Sequence, residues 1–251
     1  MSDRQTPTES GAPYGGDRPA LLLVHGAFHG AWAWQRVQDR LTSMGWMVRT
    51  VDLPSVAAKG GPRFGMYDDA AVVVQHLEAN DGPVVVVAHS YGGVPVAQAA
   101  VGLSHVRHLV YVAAFQLDVG ESVLGAIGNP PPWWNVDGDT MSVDNPAEVM
   151  YGDVPPAVAT WAESRLRPTS YAVVEESLTA AAWHDIPSTY VVCEHDQAIP
   201  PSVQEQMGQR ATDIRRLPSA HSPMLSVPDE LAQLLTEVAG SPSSDTGIQR
   251  P

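Results

Sequence analysis

Short, nearly unbroken apolar runs recur along the chain, each followed by a longer stretch in which apolar residues return every three or four positions. The runs fall at residues 21–25, 46–51, 84–88, 107–112 and 188–193, and a sixth strand is expected at 213–217, where charged residues interrupt the run. Runs so short, with so little alternation, suit strands that helices cover on both faces, and they predict a mostly parallel sheet. The stretches after them predict helices at 31–43, 67–78, 91–103, 201–209 and 228–238. In the first of these, Trp34, Val37 and Leu41 fall on one helical face. Strand and helix in alternation around one core is the pattern of an α/β fold with six strands.

The rhythm breaks at residues 118–187. This segment holds Pro130-Pro131-Pro132-Trp133-Trp134, then an Asp- and Gly-rich turn, then two helical stretches at 156–165 and 171–182. It is too long for an ordinary connection, so it predicts a small helical cap inserted into a core made of 19–117 and 188–240. The ends, 1–18 and 241–251, are mixtures of Ser, Pro, Gly, Asp and Thr that could bury little apolar surface, and they predict disordered tails.

Composition narrows the partners. Fourteen basic residues against 28 acidic ones give a net charge of −14, which repels phosphate backbones and anionic membranes. No apolar stretch is long enough to span a bilayer, and the first residues lack the basic-then-apolar order of a secretory leader. A cytoplasmic monomer or homodimer that touches neither nucleic acid nor membrane is expected. The single cysteine, Cys193, excludes an intramolecular disulfide and, within an apolar run, reads as a buried strand residue. His25 with His29, and His105 with His108, have ligand-like spacing but no third or fourth ligand in register, so no metal is expected.

The chemistry concentrates around Ser90. Four valines, 84–87, lead through Ala88-His89 into Ser90-Tyr91-Gly92-Gly93 and then an apolar helical stretch. A strand that turns sharply at a serine and opens a helix is a nucleophile elbow, usually written G-x-S-x-G. Small residues two before and two after the serine let strand and helix approach; here the first is Ala88 instead of glycine. Serine is a weak nucleophile and needs a base held by an acid, which in such a fold follow in the order Ser, Asp or Glu, His. Asp196 follows the strand at 188–193, and His221 follows the strand at 213–217, both at C-terminal strand ends where open α/β sheets bind ligands. Glu194 and His195 are the competing acid and base, and their positions fit less well. The His25-Gly26-Ala27-Phe28-His29-Gly30 turn supplies an oxyanion hole, with backbone N–H donors from Ala27 and from Tyr91 after the nucleophile.

These segments resemble those of the α/β-hydrolases that include plant methylesterases, hydroxynitrile lyases and their bacterial relatives. The resemblance runs through 25–34, 88–93, Arg167-Pro168, 192–200 and Ala220-His221-Ser222-Pro223-Met224-Leu225, and spans roughly residues 20–240. It implies a six-stranded core under a helical cap, no cofactor, and oxyanion donors at Ala27 and Tyr91. It also separates two chemistries, because the lyases carry a lysine directly after the catalytic histidine where this chain has Ser222. The expected function is therefore hydrolysis of the ester of a small apolar or aromatic molecule through an acyl-enzyme. Phe28, Phe115, Trp133, Trp134 and Met224 are the expected substrate contacts. A lyase on the same scaffold, or a binding protein without turnover, are the alternatives.

Overall fold

The computed structural model describes residues 18–57 and 63–241. Its strands are β1 (Ala20–Val24), β2 (Val48–Val51), β3 (Val84–His89), β4 (Val106–Val112), β5 (Trp134–Asp137), β6 (Thr140–Val143), β7 (Thr169–Ser170), β8 (Ser188–Cys193) and β9 (Asp213–Leu217). Six of them form one sheet in the order β2-β1-β3-β4-β8-β9, and every pairing in it is parallel. The most apolar runs are the inner strands: every residue of β1, β3 and β8 is buried. Each such aliphatic side chain removed from water contributes roughly 1.5–3 kcal/mol, so the burial of these strands dominates the core. The edge strand β9 instead exposes Asp213, Ile214, Arg215 and Arg216, and the charges discourage pairing with another chain.

The helices cover both faces. The stretch 31–43 begins as a 3₁₀ turn, Ala31–Trp34, and continues as α1 (Gln35–Ser43), burying Trp34, Val37 and Leu41 as the periodicity requires. Next come α2 (Met66–Glu78) and α3 (Gly93–Ala99). The latter is shorter than the apolar pattern suggested, because Gly102 turns the chain with φ +75°. Helices Pro201–Gly208 and Pro228–Gly240 each start on a proline, whose missing N–H costs nothing in a first turn. No helix among the described residues is long and apolar enough to cross a membrane. Most of the two expected tails lies outside the described residues; of them, Arg18 stacks over Trp46 with its guanidinium 4.5 Å from the ring centre.

The long segment between β4 and β8 is not purely helical. Helix Pro156–Glu163 forms as expected, but the stretch at 171–182 yields only a single helical turn, Ala172–Glu175. The Asp- and Gly-rich turn closes a hairpin: β5 and β6 pair antiparallel across Gly138-Asp139, with Gly138 at φ +59°, and β7 adds a third strand. A two-residue loop with positive φ matches the twist of the strands it joins. Met141 faces inward and is buried whereas Val136 is exposed.

Candidate active site

Ser90 stands where β3 ends and the chain turns through a 3₁₀ step, Ser90–Gly92, into α3. Its backbone has φ +53°, a left-handed conformation that costs a non-glycine residue roughly 1–3 kcal/mol. Close packing enforces the turn. A Cβ on Gly92 would lie 2.5 Å from the His25 carbonyl oxygen, and one on Gly26 would lie 2.6 Å from Ser90 Cβ. The methyl of Ala88 is buried in the sheet, which accommodates the departure from glycine at that position.

The structure brings Ser90, His221 and Asp196 together from three strand ends. Ser90 Oγ lies 3.0 Å from His221 Nε2, and His221 Nδ1 lies 2.7 Å from Asp196 Oδ2. Asp196 also accepts from the N–H groups of Ala198 (2.7 Å) and Ile199 (3.0 Å) and from Gln204 Nε2 (2.8 Å). Filled with donors, it leaves the proton of its bond with His221 on Nδ1, so Nε2 is free to accept from the Ser90 hydroxyl. His221 and Asp196 are buried, whereas Glu194 and His195 face solvent. His89 Nε2–H donates to the His221 carbonyl at 2.8 Å, holding the histidine loop from beneath.

Two peptides beside Ser90 are held by their carbonyls. Gly26 O accepts from His25 Nδ1–H at 2.7 Å, and Ser90 O accepts from the Phe115 N–H at 3.0 Å. In a trans peptide the N–H points opposite to the C=O, so the Ala27 and Tyr91 N–H groups are turned away from those partners. Both residues line the same cavity as Ser90. The Ala27 turn is pinned further by the long insertion. Phe28, at φ +67°, donates its N–H to Thr169 Oγ1 at 2.8 Å, and its carbonyl accepts from the Arg167 N–H at 2.9 Å. His29 donates from Nδ1 to the Ala27 carbonyl (2.8 Å) and accepts at Nε2 from the Tyr151 hydroxyl (2.9 Å). Burial pushes His29 down to about 3 and also lowers His25 and His89, the last helped by its neighbours His221 and His29. All three are thus neutral hydrogen-bonding groups near pH 7.

The cavity over Ser90 measures about 310 Å³. Of the expected substrate contacts, Phe28, Phe115, Trp133 and Trp134 line it, joined by Met141 and Met150, which the sequence did not single out. Met224 does not line it. The chain after His221 enters helix Pro223–Ser226, which packs on α1 and the turn before it, and Met224 is fully buried in the core. No Asp, Glu, Lys or Arg among the described residues lines the cavity. Tyr91, Ser55 and Asp69 form a buried hydrogen-bonded cluster next to the elbow, also unforeseen, because Asp69 lies 22 positions from Tyr91 in the chain.

The sequence profile described as "Alpha/beta hydrolase family" matches residues 21–234. The chain belongs to that family. It is 31% identical over 243 residues to an alpha/beta hydrolase, nvfD, of Aspergillus novofumigatus (strain IBT 16806), covering 89% of this chain and 97% of the relative. It is 30% identical over 252 residues to Methylesterase 9 of Arabidopsis thaliana, covering 87% and 97%. Among solved structures it resembles a pyrethroid hydrolase from Sphingobium faniae JZ-2, with a TM-score of 0.78 at 23% identity over 89% of this chain and 98% of that one. At that identity the likeness is one of fold.

Proposed function

We propose that this hydrolase cleaves the carboxylic ester of a small, neutral, apolar or aromatic molecule, with Ser90, His221 and Asp196 as its triad. The observation that carries the reading is the unbroken hydrogen-bonded line from Asp196 through His221 to Ser90, opening on a cavity that no Asp, Glu, Lys or Arg among the described residues lines. In this mechanism Ser90 Oγ attacks the ester carbonyl while His221 Nε2 takes its proton, and Asp196 stabilises the imidazolium. The Ala27 and Tyr91 N–H groups hold the oxyanion of the tetrahedral intermediate, each donor contributing about 10²–10³ in kcat. Collapse expels the alcohol, which receives the proton from His221. A water, deprotonated by His221, then attacks the acyl-enzyme, and the acid leaves as Ser90 regains its proton.

The lining supports a neutral substrate, since a buried carboxylate or phosphate would find no Lys or Arg among the described lining residues to offset its charge. Ser222, a buried neutral hydroxyl, occupies the position where the resembling lyases carry lysine, and this favours hydrolysis over release of cyanide. The relatives named hydrolase and methylesterase point the same way. The test is a panel of methyl, acetyl and aryl esters assayed with wild type and Ser90→Ala. Turnover of some member, reduced by about 10⁴-fold or more in the variant, is the expected result. Activity surviving at a tenth of wild type would remove Ser90 from the mechanism.

A further inference from the structure

Beside the elbow lies a buried carboxylate that the triad mechanism does not use. Asp69, in the first turn of α2, has no exposed surface. Its Oδ2 accepts from the Tyr91 hydroxyl (2.7 Å) and the Ser55 hydroxyl (2.6 Å), and its Oδ1 accepts from the Ser55 N–H (2.9 Å). None of these donors is a cation. A carboxylate out of water costs several kcal/mol unless its hydrogen bonds are excellent, so this site carries an expense that an apolar residue would avoid. Burial pushes Asp69 up to about 6, with the bonds from Ser55 and Tyr91 pulling against it.

What Asp69 holds explains its presence. Tyr91 contributes one of the two N–H groups proposed to face the oxyanion. Its peptide is anchored on one side by the Phe115 N–H at the Ser90 carbonyl, and its ring is anchored on the other by Asp69. The second branch runs through Ser55, whose carbonyl accepts from the Ser170 N–H at 2.9 Å. Adjacent Thr169 accepts from the N–H of Phe28, the residue after the other donor, Ala27. One carboxylate therefore ties together the two turns that supply the oxyanion hole.

We infer that Asp69 is a positioning residue for the oxyanion hole, acting on Tyr91 directly through its hydroxyl and on the Ala27 turn through Ser55 and strand β7. The inference rests on the ester-hydrolase reading above. Loosening either turn withdraws transition-state stabilisation while leaving the apolar cavity, and hence substrate binding, nearly intact. The signature is a fall in kcat with KM unchanged.

The experiment measures kcat, KM and thermal midpoint for Asp69→Ala, Asp69→Asn, Tyr91→Phe and Asp69→Ala/Tyr91→Phe. It uses the best ester of the panel and enzyme counted by fluorophosphonate titration. Asp69→Ala and Tyr91→Phe are each expected to lower kcat by about tenfold, short of the 10²–10³ for deleting an oxyanion donor outright. The double variant is expected to be no slower than Asp69→Ala, since both changes break the same bond. Asp69→Asn, which keeps hydrogen-bonding atoms in place, is expected to recover most of the rate. A lowered thermal midpoint with kcat within about twofold of wild type in Asp69→Ala and Tyr91→Phe would show a merely structural tie and overturn the inference. If that happens while Ser90→Ala is inactive, the hydrolase reading stands alone. If Ser90→Ala retains turnover, the hydrolase reading fails and takes this one with it.

Discussion

At the scale of single residues, the chemistry turns on which carboxylate partners His221. Asp196 is buried and filled by four donors including His221, while Glu194, two positions earlier, faces solvent. Asp196→Asn keeps the shape but loses the charged partner and the correct tautomer of His221, and is expected to lower kcat by roughly 10⁴-fold. Glu194→Gln is expected to leave kcat within about threefold, as surface changes usually do. Steady-state kinetics of the two variants decide it, and the reverse order would move the acid to Glu194. Ser90 and Asp196 were legible in the sequence because they stand just after apolar strand runs, and His221 because it follows the next strand in the order Ser, Asp, His along the chain. Met224 was misread because a short helix, invisible to periodicity, directs it into the core. Asp69, Ser55 and Thr169 were not legible at all: their partners lie in other elements, and no local spacing encodes those contacts.

At the scale of elements, the inner strands β1, β3 and β8 follow from hydrophobic pattern alone, since burial on both faces leaves an unbroken apolar run, whereas the edge strand β9, with four of its five residues exposed, carries a much weaker pattern. The insertion is harder to read. Its strands are four residues or fewer, and the hairpin signal at Gly138-Asp139 lay inside what read as a mere turn. The hairpin matters because β5 starts at Trp134, whose ring meets that of Trp133 edge to face at 5.8 Å, and both line the cavity. Three prolines just before them restrict the backbone and hold the rings at small entropic cost. Trp133→Ala and Trp134→Ala are expected to reduce discrimination between bulky aryl esters and acetate esters by about 1–3 kcal/mol each, read as the ratio of kcat/KM values. An equal loss on all esters, together with a lower thermal midpoint, would make them internal packing of the insertion.

At the scale of the whole molecule, buried histidines set the response to acid. His25, His29 and His89 are held below their usual value of 6.5 in the folded state, by burial above all. As pH falls below about 6.5 the unfolded chain takes up protons that these folded histidines refuse, so stability is lost, by about 1.4 kcal/mol per pH unit for each proton. Asp69 works in the opposite sense. Raised to about 6, it takes its proton in the folded state before the unfolded chain does, which adds stability as pH falls toward 3.8. Three groups outweigh one, so the thermal midpoint is expected to drop by about 5 °C or more between pH 7 and pH 5. A calorimetric scan showing a flat or rising midpoint would contradict the burial of neutral histidines around the site. The central claim is that Ser90 is the nucleophile. Its most direct measurement is intact-protein mass spectrometry after reaction with a fluorophosphonate, followed by peptide mapping. One adduct per chain is expected, on Ser90, formed in step with loss of ester hydrolysis and absent in Ser90→Ala. An adduct on another residue, or full hydrolysis by protein already labelled at Ser90, would contradict it.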